Sequence, residues 1–336
     1  MAHPPASAAR QTSWWMQTTD TATALELRDG ACPTPGPGQV LVRMRAASLN
    51  RGEFLPGHGA HGTSGAWKAI GGEGAGDVVA VGDGVTGLQR GDRVMGRCAG
   101  AFATFALMEA GEAMAIPPGL SYEQASAVPL VFLVTYDMLV LQGHLRAGEW
   151  LLVNGVSSGV GVASLQLGKA LGARVIGTSG SSAKLAVLQP LGLDVPLCTR
   201  APDFAPAVLA ATDQRGVDLV VNAVGGTVFA ESLRSMAFEG RLATVGYVDG
   251  VVHADLDLET LHAKRLTVFG VSNRLRTKAQ RAAAIPRFVA EVLPLFAAGR
   301  IVPLVDSVMD FANVREAKDR MEAGAHVGKI VLRMPG

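Results

Sequence analysis

Cysteine is scarce in this chain of 336 residues: there are 3, Cys32, Cys98 and Cys198, far apart and odd in number. Such a set excludes a disulfide framework and a four-cysteine metal lobe, and reads as small hydrophobic side chains in a reducing cytoplasm. Apolar runs of about 18 residues are missing, as is a basic, apolar, small-residue export pattern, so neither a membrane span nor a signal peptide is expected. Excess charge is missing too: 30 Lys and Arg face 29 Asp and Glu, with no basic run to attract nucleic acid. Aromatic residues make up 5%, whereas 41 glycines and a 49% hydrophobic content suit a parallel α/β protein with many tight turns, long enough for two domains. Residues 1–12 read as a disordered leader. Trp14 and Trp15 either begin the first strand or pack on a neighbour.

From residue 25 to about 110 the chain reads as short β segments, an antiparallel, barrel-like domain. Residues 39–45 alternate apolar and polar as a half-buried strand does. Residues 76–81 and 92–95 continue the pattern between Gly-Asp-Gly and Arg-Gly-Asp turns. From about Ser121 the period changes. Residues 123–128 and 134–142 are predicted helical, 217–222 a strand, 229–236 a helix and 241–245 a strand. Helices and a final strand at 329–332 close the chain.

The densest signal lies at Trp150-Leu151-Leu152-Val153-Asn154-Gly155-Val156-Ser157-Ser158-Gly159-Val160-Gly161. Residues 151–153 suit a strand buried on both faces. After a Gly/Ser-rich turn, Val160, Ala163, Leu167 and Leu171 recur at helical spacing until Gly172, and a second strand follows at 174–178. Strand, turn, helix, strand is the context in which a glycine pattern reads as a dinucleotide site. Ser157, Ser158, Gly159 and Val160 are placed to meet a pyrophosphate with backbone N–H groups and the positive end of a helix dipole.

A second absence selects the nucleotide. An NAD site carries an Asp or Glu about 20 residues past the turn to hold the ribose 2′-hydroxyl. Here the strand runs into Thr178-Ser179-Gly180-Ser181-Ser182-Ala183-Lys184, and the first acid is Asp194. Nothing repels a 2′-phosphate, while hydroxyls, a glycine amide and an ammonium are available to receive it, so NADPH is the expected cofactor. The plain alternative is a loop that caps a helix, with Lys184 on a solvated face.

Seven motifs in order, Leu49-Asn50-Arg51-Gly52-Glu53, Gly71-Gly72-Glu73-Gly74-Ala75-Gly76-Asp77-Val78, Gly91-Asp92-Arg93-Val94, the Gly155 turn, Gly216-Val217-Asp218, Gly240-Arg241-Leu242 and Gly328-Lys329-Ile330-Val331-Leu332, span nearly the whole chain. Together they resemble the medium-chain dehydrogenase/reductase superfamily, and within it the zinc-independent quinone oxidoreductase branch. The resemblance implies a GroES-like β-barrel catalytic domain (13–128 and 272–336), a Rossmann doubly wound parallel sheet domain (129–271), a cofactor in the cleft between them, and a cytoplasmic homodimer.

In the zinc-dependent relatives a Cys and a His hold the metal where this chain has Asn50 and Gly72, neither of which replaces a thiolate or an imidazole well. No metal is therefore expected, and simple alcohol oxidation gives way to hydride delivery to an electrophilic acceptor. The resemblance puts Asn50 near nicotinamide and substrate, orienting an acceptor carbonyl; the alternative is an Asn that ties down a turn. Tyr136, in Val134-Thr135-Tyr136-Asp137, matches a Thr-Ala-Tyr stretch beside the nicotinamide and reads either as a proton donor or as a packed aromatic, with Thr135 supplying the hydroxyl that Val134 lacks. Gly180, Ser181 and Lys184 match the 2′-phosphate site; Thr199 stands where a Tyr often joins them, with Arg200 as a substitute donor. Asn222, Val224, Gly225, Gly246 and Tyr247 are expected to line the nicotinamide side. Phe269 and Val271 match the strand that reaches the nicotinamide amide and pairs across the dimer. Phe54, His58 and His61 would roof the acceptor pocket.

These expectations favour an NADPH-dependent reductase of a quinone or other conjugated carbonyl. A double-bond reductase of alkenals and enones is the near rival, and a non-catalytic NADPH-binding protein of crystallin type the distant one.

Overall fold

The computed structural model describes residues 10–19, 23–54 and 65–335. Two compact units emerge: Met1–Leu130 with Asn273–Ala298 and Pro303–Gly336, and Val131–Ser272 with Gly299–Val302. The first unit begins with strands β1 (Arg10–Thr18), β2 (Thr23–Ala31), β3 (Gln39–Ser48), β4 (Lys68–Ala69), β5 (Glu73–Val81), β6 (Arg93–Arg97), β7 (Phe105–Glu109) and β8 (Ala113–Ala115). Arg10, Gln11 and Thr12, expected in a leader, are instead strand residues paired with Ala31, Gly30 and Asp29. Trp14 both extends this strand and packs: its indole nitrogen donates to the Phe311 carbonyl at 2.8 Å and its ring meets Phe311 edge-on. β3 was expected to be half-buried. It pairs with β5 and β7, so Val40, Val42 and Met44 are all buried, and Arg43 is the exposed member, stacked on Phe105.

Two helices follow, α1 (Tyr122–Ser126), capped by the Ser121 hydroxyl, and α2 (Pro129–Tyr136), which runs into a wider π-helical turn over Asp137–Gln142. The second unit is a six-stranded parallel sheet in the order β11-β10-β9-β12-β13-β14, with β9 (Trp150–Asn154), β10 (Arg174–Ser179), β11 (Val195–Cys198), β12 (Val217–Asn222), β13 (Met236–Thr244) and β14 (Thr267–Gly270). Renumbered within the unit, this is the 3-2-1-4-5-6 order of a dinucleotide-binding sheet. Helix α3 (Gly159–Ala170) joins β9 to β10, and α4 (Ser182–Leu188) joins β10 to β11. α5 (Ala205–Ala211) and α6 (Phe229–Arg234) follow. The helix expected over 229–236 ends at Arg234 because Met236, wholly buried, pairs with Val217 and starts β13. An isolated apolar residue carries no period, so tertiary pairing decided it. The core of this unit is Trp150, Leu152, Ile176, Phe204, Val220 and Leu242.

The chain then returns to the first unit through β15 (Val305–Asp310) and β16 (Lys329–Arg333). β16 pairs antiparallel with β3 and completes a sheet in the order β15-β16-β3-β5-β6-β8 over a core that includes Met16, Val42, Phe54, Phe102 and Ile330. No helix of the described residues is long and apolar enough to cross a membrane. Of the cysteines, Cys98 is buried as expected, Cys32 is half-buried, and Cys198 is exposed at the end of β11 rather than packed.

Candidate functional site

In the parallel-sheet unit, register brings the carboxyl ends of three strands together: Asn154 lies between Thr178 and Asn222. The chain leaves β9 through Gly155, at φ +74°, a conformation that costs a residue with a Cβ. The Gly155 amide donates to Thr178 Oγ1 at 3.2 Å and the Val156 amide to the Thr178 carbonyl at 3.0 Å, so the turn is strapped to β10. Ser158 caps α3, its hydroxyl accepting from the Gly161 amide at 3.0 Å, and the first helical rung runs from Val162 N to Ser158 O. The amides of Gly159 and Val160 lie ahead of that rung, where a helix has no acceptor of its own for them and suits an anion. A Cβ on Gly161 would fall 2.3 Å from the Gly155 carbonyl oxygen, so the close approach of helix to strand requires glycine there.

The 2′-phosphate candidates gather at the next crossover. Ser179 pairs with Cys198, which carries Arg200 alongside Gly180. A Cβ on Gly180 would lie 2.0 Å from Arg200 Nε, so the guanidinium side chain occupies the space that glycine leaves. Ser181 caps α4, its hydroxyl accepting from the Lys184 amide at 3.4 Å, and Ser157 Oγ lies 3.4 Å from Ser179 Oγ. Asp194 is held at the far end of β10, accepting from the Val175 amide at 2.6 Å and pairing with Lys169 at 2.8 Å. It cannot serve as a ribose acid. The Thr199 hydroxyl is turned to Asp203 at 2.8 Å, leaving Arg200 as the exposed cation of that strand end.

Other expected residues of this unit have internal work. Asn222 Oδ1 accepts from the Val224 and Gly225 amides at 3.1 and 3.0 Å, and Nδ2 donates to the Gly225 carbonyl, so the side chain builds the turn after β12 and is buried. Thr135 is buried, with Oγ1 3.5 Å from Ser164 Oγ on α3. Tyr136 is 1% exposed. Val271 is buried, its amide on the Thr244 carbonyl at 3.0 Å. Val224 and Phe269 are half-buried, Tyr247 is exposed, and Gly246 stands against Ala223.

The barrel unit holds a polar network that motif reading passed over. Glu73, on β5, is wholly buried. Its Oε1 accepts from Ser48 Oγ at 2.6 Å, Asn50 Nδ2 at 2.8 Å and Lys329 Nζ at 2.9 Å, and Oε2 accepts from the Leu130 amide at 2.7 Å. Lys329, opening β16, also donates to the Leu49 carbonyl at 2.7 Å and to Asn50 Oδ1 at 2.6 Å, which uses all three ammonium hydrogens. Asn50 Nδ2 donates further to Glu53 Oε1 at 3.0 Å, and the Gly72 amide donates to the same oxygen at 3.0 Å. Both amide hydrogens and the carbonyl of Asn50 are thus committed. Its side chain is bonded within the turn and the network.

Burial raises the Glu53 carboxyl from its ordinary 4.5 to about 7, against the lowering pull of its Asn50 hydrogen bond and of Lys329, with Glu73 adding to the rise. Burial, with both glutamates, also pushes the Cys98 thiol up, so it is unreactive. The signal for this network was present in the sequence: Glu73 and Lys329 each open a strand whose other residues read as buried, and a buried charge demands a partner. Phe54 is buried in the core; His58 and His61 lie outside the described residues.

Zinc does not fit these residues. Asn50 supplies an amide already bonded at both ends, a Cβ at Gly72 would meet Glu53 Oε1 at 2.8 Å, and the cation facing Glu73 is the Lys329 ammonium. Among the described residues no group of three His, Cys, Asp or Glu could hold a metal ion.

With this geometry in place, the comparisons with known proteins decide the family. The chain matches the family described as alcohol dehydrogenase GroES-like domain over residues 36–118, and the one described as zinc-binding dehydrogenase over residues 159–289. This chain belongs to the medium-chain dehydrogenase/reductase superfamily. It is 33% identical over 303 residues to the highly reducing polyketide synthase lcsB of Purpureocillium lilacinum, covering 89% of this chain and 12% of that protein. It is 35% identical over 307 residues to the pikromycin polyketide synthase component PikAII of Streptomyces venezuelae, covering 90% of this chain and 8% of that one. The chain therefore spans a small part of these curated relatives. Among solved structures, mycobacterial Rv1454c complexed with NADPH matches with a TM-score of 0.86 and 27% identity, over 96% of this chain and 99% of that one. The CurK enoyl reductase matches with 0.84 and 25%, over 97% and 99%.

Proposed function

We propose that this protein is an NADPH-dependent reductase of carbon–carbon double bonds conjugated to a carbonyl. The observation that carries the reading is the commitment of the superfamily's zinc positions to an internal ammonium–carboxylate network. A donor set of this kind supplies no Lewis acid to polarise an alcohol, so the fitting acceptor is one that is already electrophilic. Conjugated double bonds and quinones both qualify. Similarity to polyketide synthases over about nine tenths of the chain, and to an enoyl reductase of known structure, supports the double bond. Quinone reduction, expected first from the sequence, takes second place.

NADPH, when bound, supplies the hydride. The amides of Gly159 and Val160 would take the pyrophosphate, and Arg200, Lys184 and Ser181 the 2′-phosphate, as the likeness to the NADPH complex of Rv1454c supports. Asn50 acts as a positioning residue by holding Glu53, Glu73 and Lys329 in one constellation. The outer strand β14 is largely exposed, and a homodimer paired along it is part of the proposal.

Stopped-flow oxidation of NADPH by a 2-alkenal and by 1,4-benzoquinone tests the reading. Faster turnover of the alkenal supports it. Turnover of benzoquinone alone restores the quinone reading, and tight NADPH binding with no oxidation by either replaces it with a ligand-binding protein.

A further inference from the structure

The strand order of the parallel sheet reverses between β9 and β12, and a dinucleotide lies across the crevice that opens outside the carboxyl ends of the strands at such a point. Gly180 and Arg200, suited to the 2′-phosphate, stand just past the ends of β10 and β11, which leaves the nicotinamide half to the loops that leave β12 and β13. One side chain joins those two loops. Asp249, in the loop after β13, accepts at Oδ2 from the Thr227 amide at 2.9 Å and from the Thr227 hydroxyl at 2.6 Å, and at Oδ1 from the Val251 amide at 2.9 Å. Backbone bonds follow the same seam: the Asp249 amide donates to the Val224 carbonyl at 3.0 Å, and the Gly226 amide to the Val251 carbonyl at 2.9 Å. Gly225, at φ +132°, leaves room for the carboxylate, since a Cβ there would lie 2.0 Å from Asp249 Oδ1. The joined loops also reach the dinucleotide turn, because a Cβ on Gly155 would stand 3.4 Å from Val224 Cγ2.

We infer that Asp249 is a positioning residue for the nicotinamide: its carboxylate clamps the loops after β12 and β13 into one lip on which the ring is seated. The inference rests on the proposed placement of the dinucleotide along this sheet. Asp249 acts through the backbone it holds and not as an acid. Burial raises its carboxyl, but the Thr227 and Val251 donors outweigh burial and keep the group below its ordinary range, so at neutral pH it is an acceptor only. The stretch it fixes is short and tied at both ends. On one side the Val245 amide donates to the Asn222 carbonyl at 3.0 Å; on the other stands Asp249, and between them Tyr247 and Val248 are exposed. Exposed backbone with few bonds of its own opens readily, so the carboxylate decides how firmly this stretch stands. A firm seat fixes the direction in which the ring presents its hydride, and orientation of that kind carries much of the rate of a transfer between two bound partners.

The test compares a whole nucleotide with one half of it and needs no turnover. By calorimetry, Asp249→Ala is expected to weaken NADPH about tenfold, and to leave 2′,5′-ADP, which carries the adenine half and the 2′-phosphate without a nicotinamide, within about twofold of the parent. The fluorescence lifetime of the bound reduced nicotinamide is expected to shorten toward its free value in that variant, because the ring gains motion. Asp249→Asn, which keeps one acceptor oxygen, recovers part of both. Thr227→Val removes the hydroxyl donor from an exposed residue, keeps the amide donor, and falls between the parent and Asp249→Ala. Equal weakening of NADPH and 2′,5′-ADP overturns the inference, since a merely structural role moves both. Parent-like NADPH binding and lifetime in Asp249→Ala overturn it as well. If Asp249→Ala fails to fold, Thr227→Val decides, and parent-like values there have the same consequence. A parent protein that binds neither nucleotide defeats the dinucleotide placement itself; one that binds both, with the variants at parent values, defeats the role of Asp249 alone.

Discussion

The two units of this protein build their polar sites in opposite ways. The dinucleotide turn is contiguous: Asn154 to Gly161 supply the turn, the cap and the free amides, and their mutual contacts span few residues. The barrel network is dispersed. Ser48, Asn50, Glu53, Glu73, Leu130 and Lys329 meet from three strands, a single turn of 3-10 helix and the start of α2, with Asn50 and Lys329 279 positions apart. The first site depends on backbone shape and small residues, so its sensitivity lies in added volume. The second depends on paired charge in a buried place, so its sensitivity lies in lost partners.

The contrast breaks most sharply at Lys329. Lys329→Met removes the ammonium and leaves Glu73 buried among donors that do not neutralise it, an expected loss of about 3–5 kcal/mol in denaturant unfolding. A loss under about 1 kcal/mol would show that the network is not held as a charged unit. Gly161→Ala is the matching test in the other unit. Its Cβ would lie 2.3 Å from a backbone oxygen that has no rotamer to move to, so a loss of about 1–3 kcal/mol and at least tenfold weaker NADPH binding are expected. Parent-like binding by calorimetry would mean that the turn tolerates widening.

A smaller effect separates charge from shape within the dinucleotide site. Arg200→Ala and Lys184→Ala each are expected to weaken NADPH by about tenfold and to leave NADH unmoved, because a charge-assisted hydrogen bond contributes about 1.5–3 kcal/mol and only NADPH carries the 2′-phosphate. Equal losses for both nucleotides would remove these residues from phosphate recognition.

The smallest effect is a slope. With the Glu53 carboxyl raised from 4.5 to about 7, the folded protein holds a proton that the unfolded chain has released over that interval. Its stabilising contribution is full below the unfolded value and is lost as pH rises through about 7. Tm is therefore expected to decline between these two values and to level off above them, and Glu53→Gln to flatten the decline. An identical pH dependence in the variant would assign the slope to other groups.

How far each region can be read from sequence follows the same divide. Strand 217–222 and the β9–α3 turn were legible because apolar period, glycine and serine act within a few residues. The expected leader boundary failed at Arg10 to Thr12, whose polar side chains hid strand pairing with residues 29–31. Asn222, Thr135 and Asn50 were legible as polar residues in a telling place, but not as residues already bonded within their own unit.

By itself, the sequence determined the order of elements, the two-unit plan, the missing ribose acid and the missing zinc ligands, because each rests on residue type and short spacing. Tertiary structure alone decided that Arg200 fills the space above Gly180, that Asn50 is spent internally, and that two glutamates share one lysine. Those outcomes turn on the partner that a distant strand brings within about 3 Å, the range in which hydrogen bonds form and a buried carboxyl is made to keep or lose its proton.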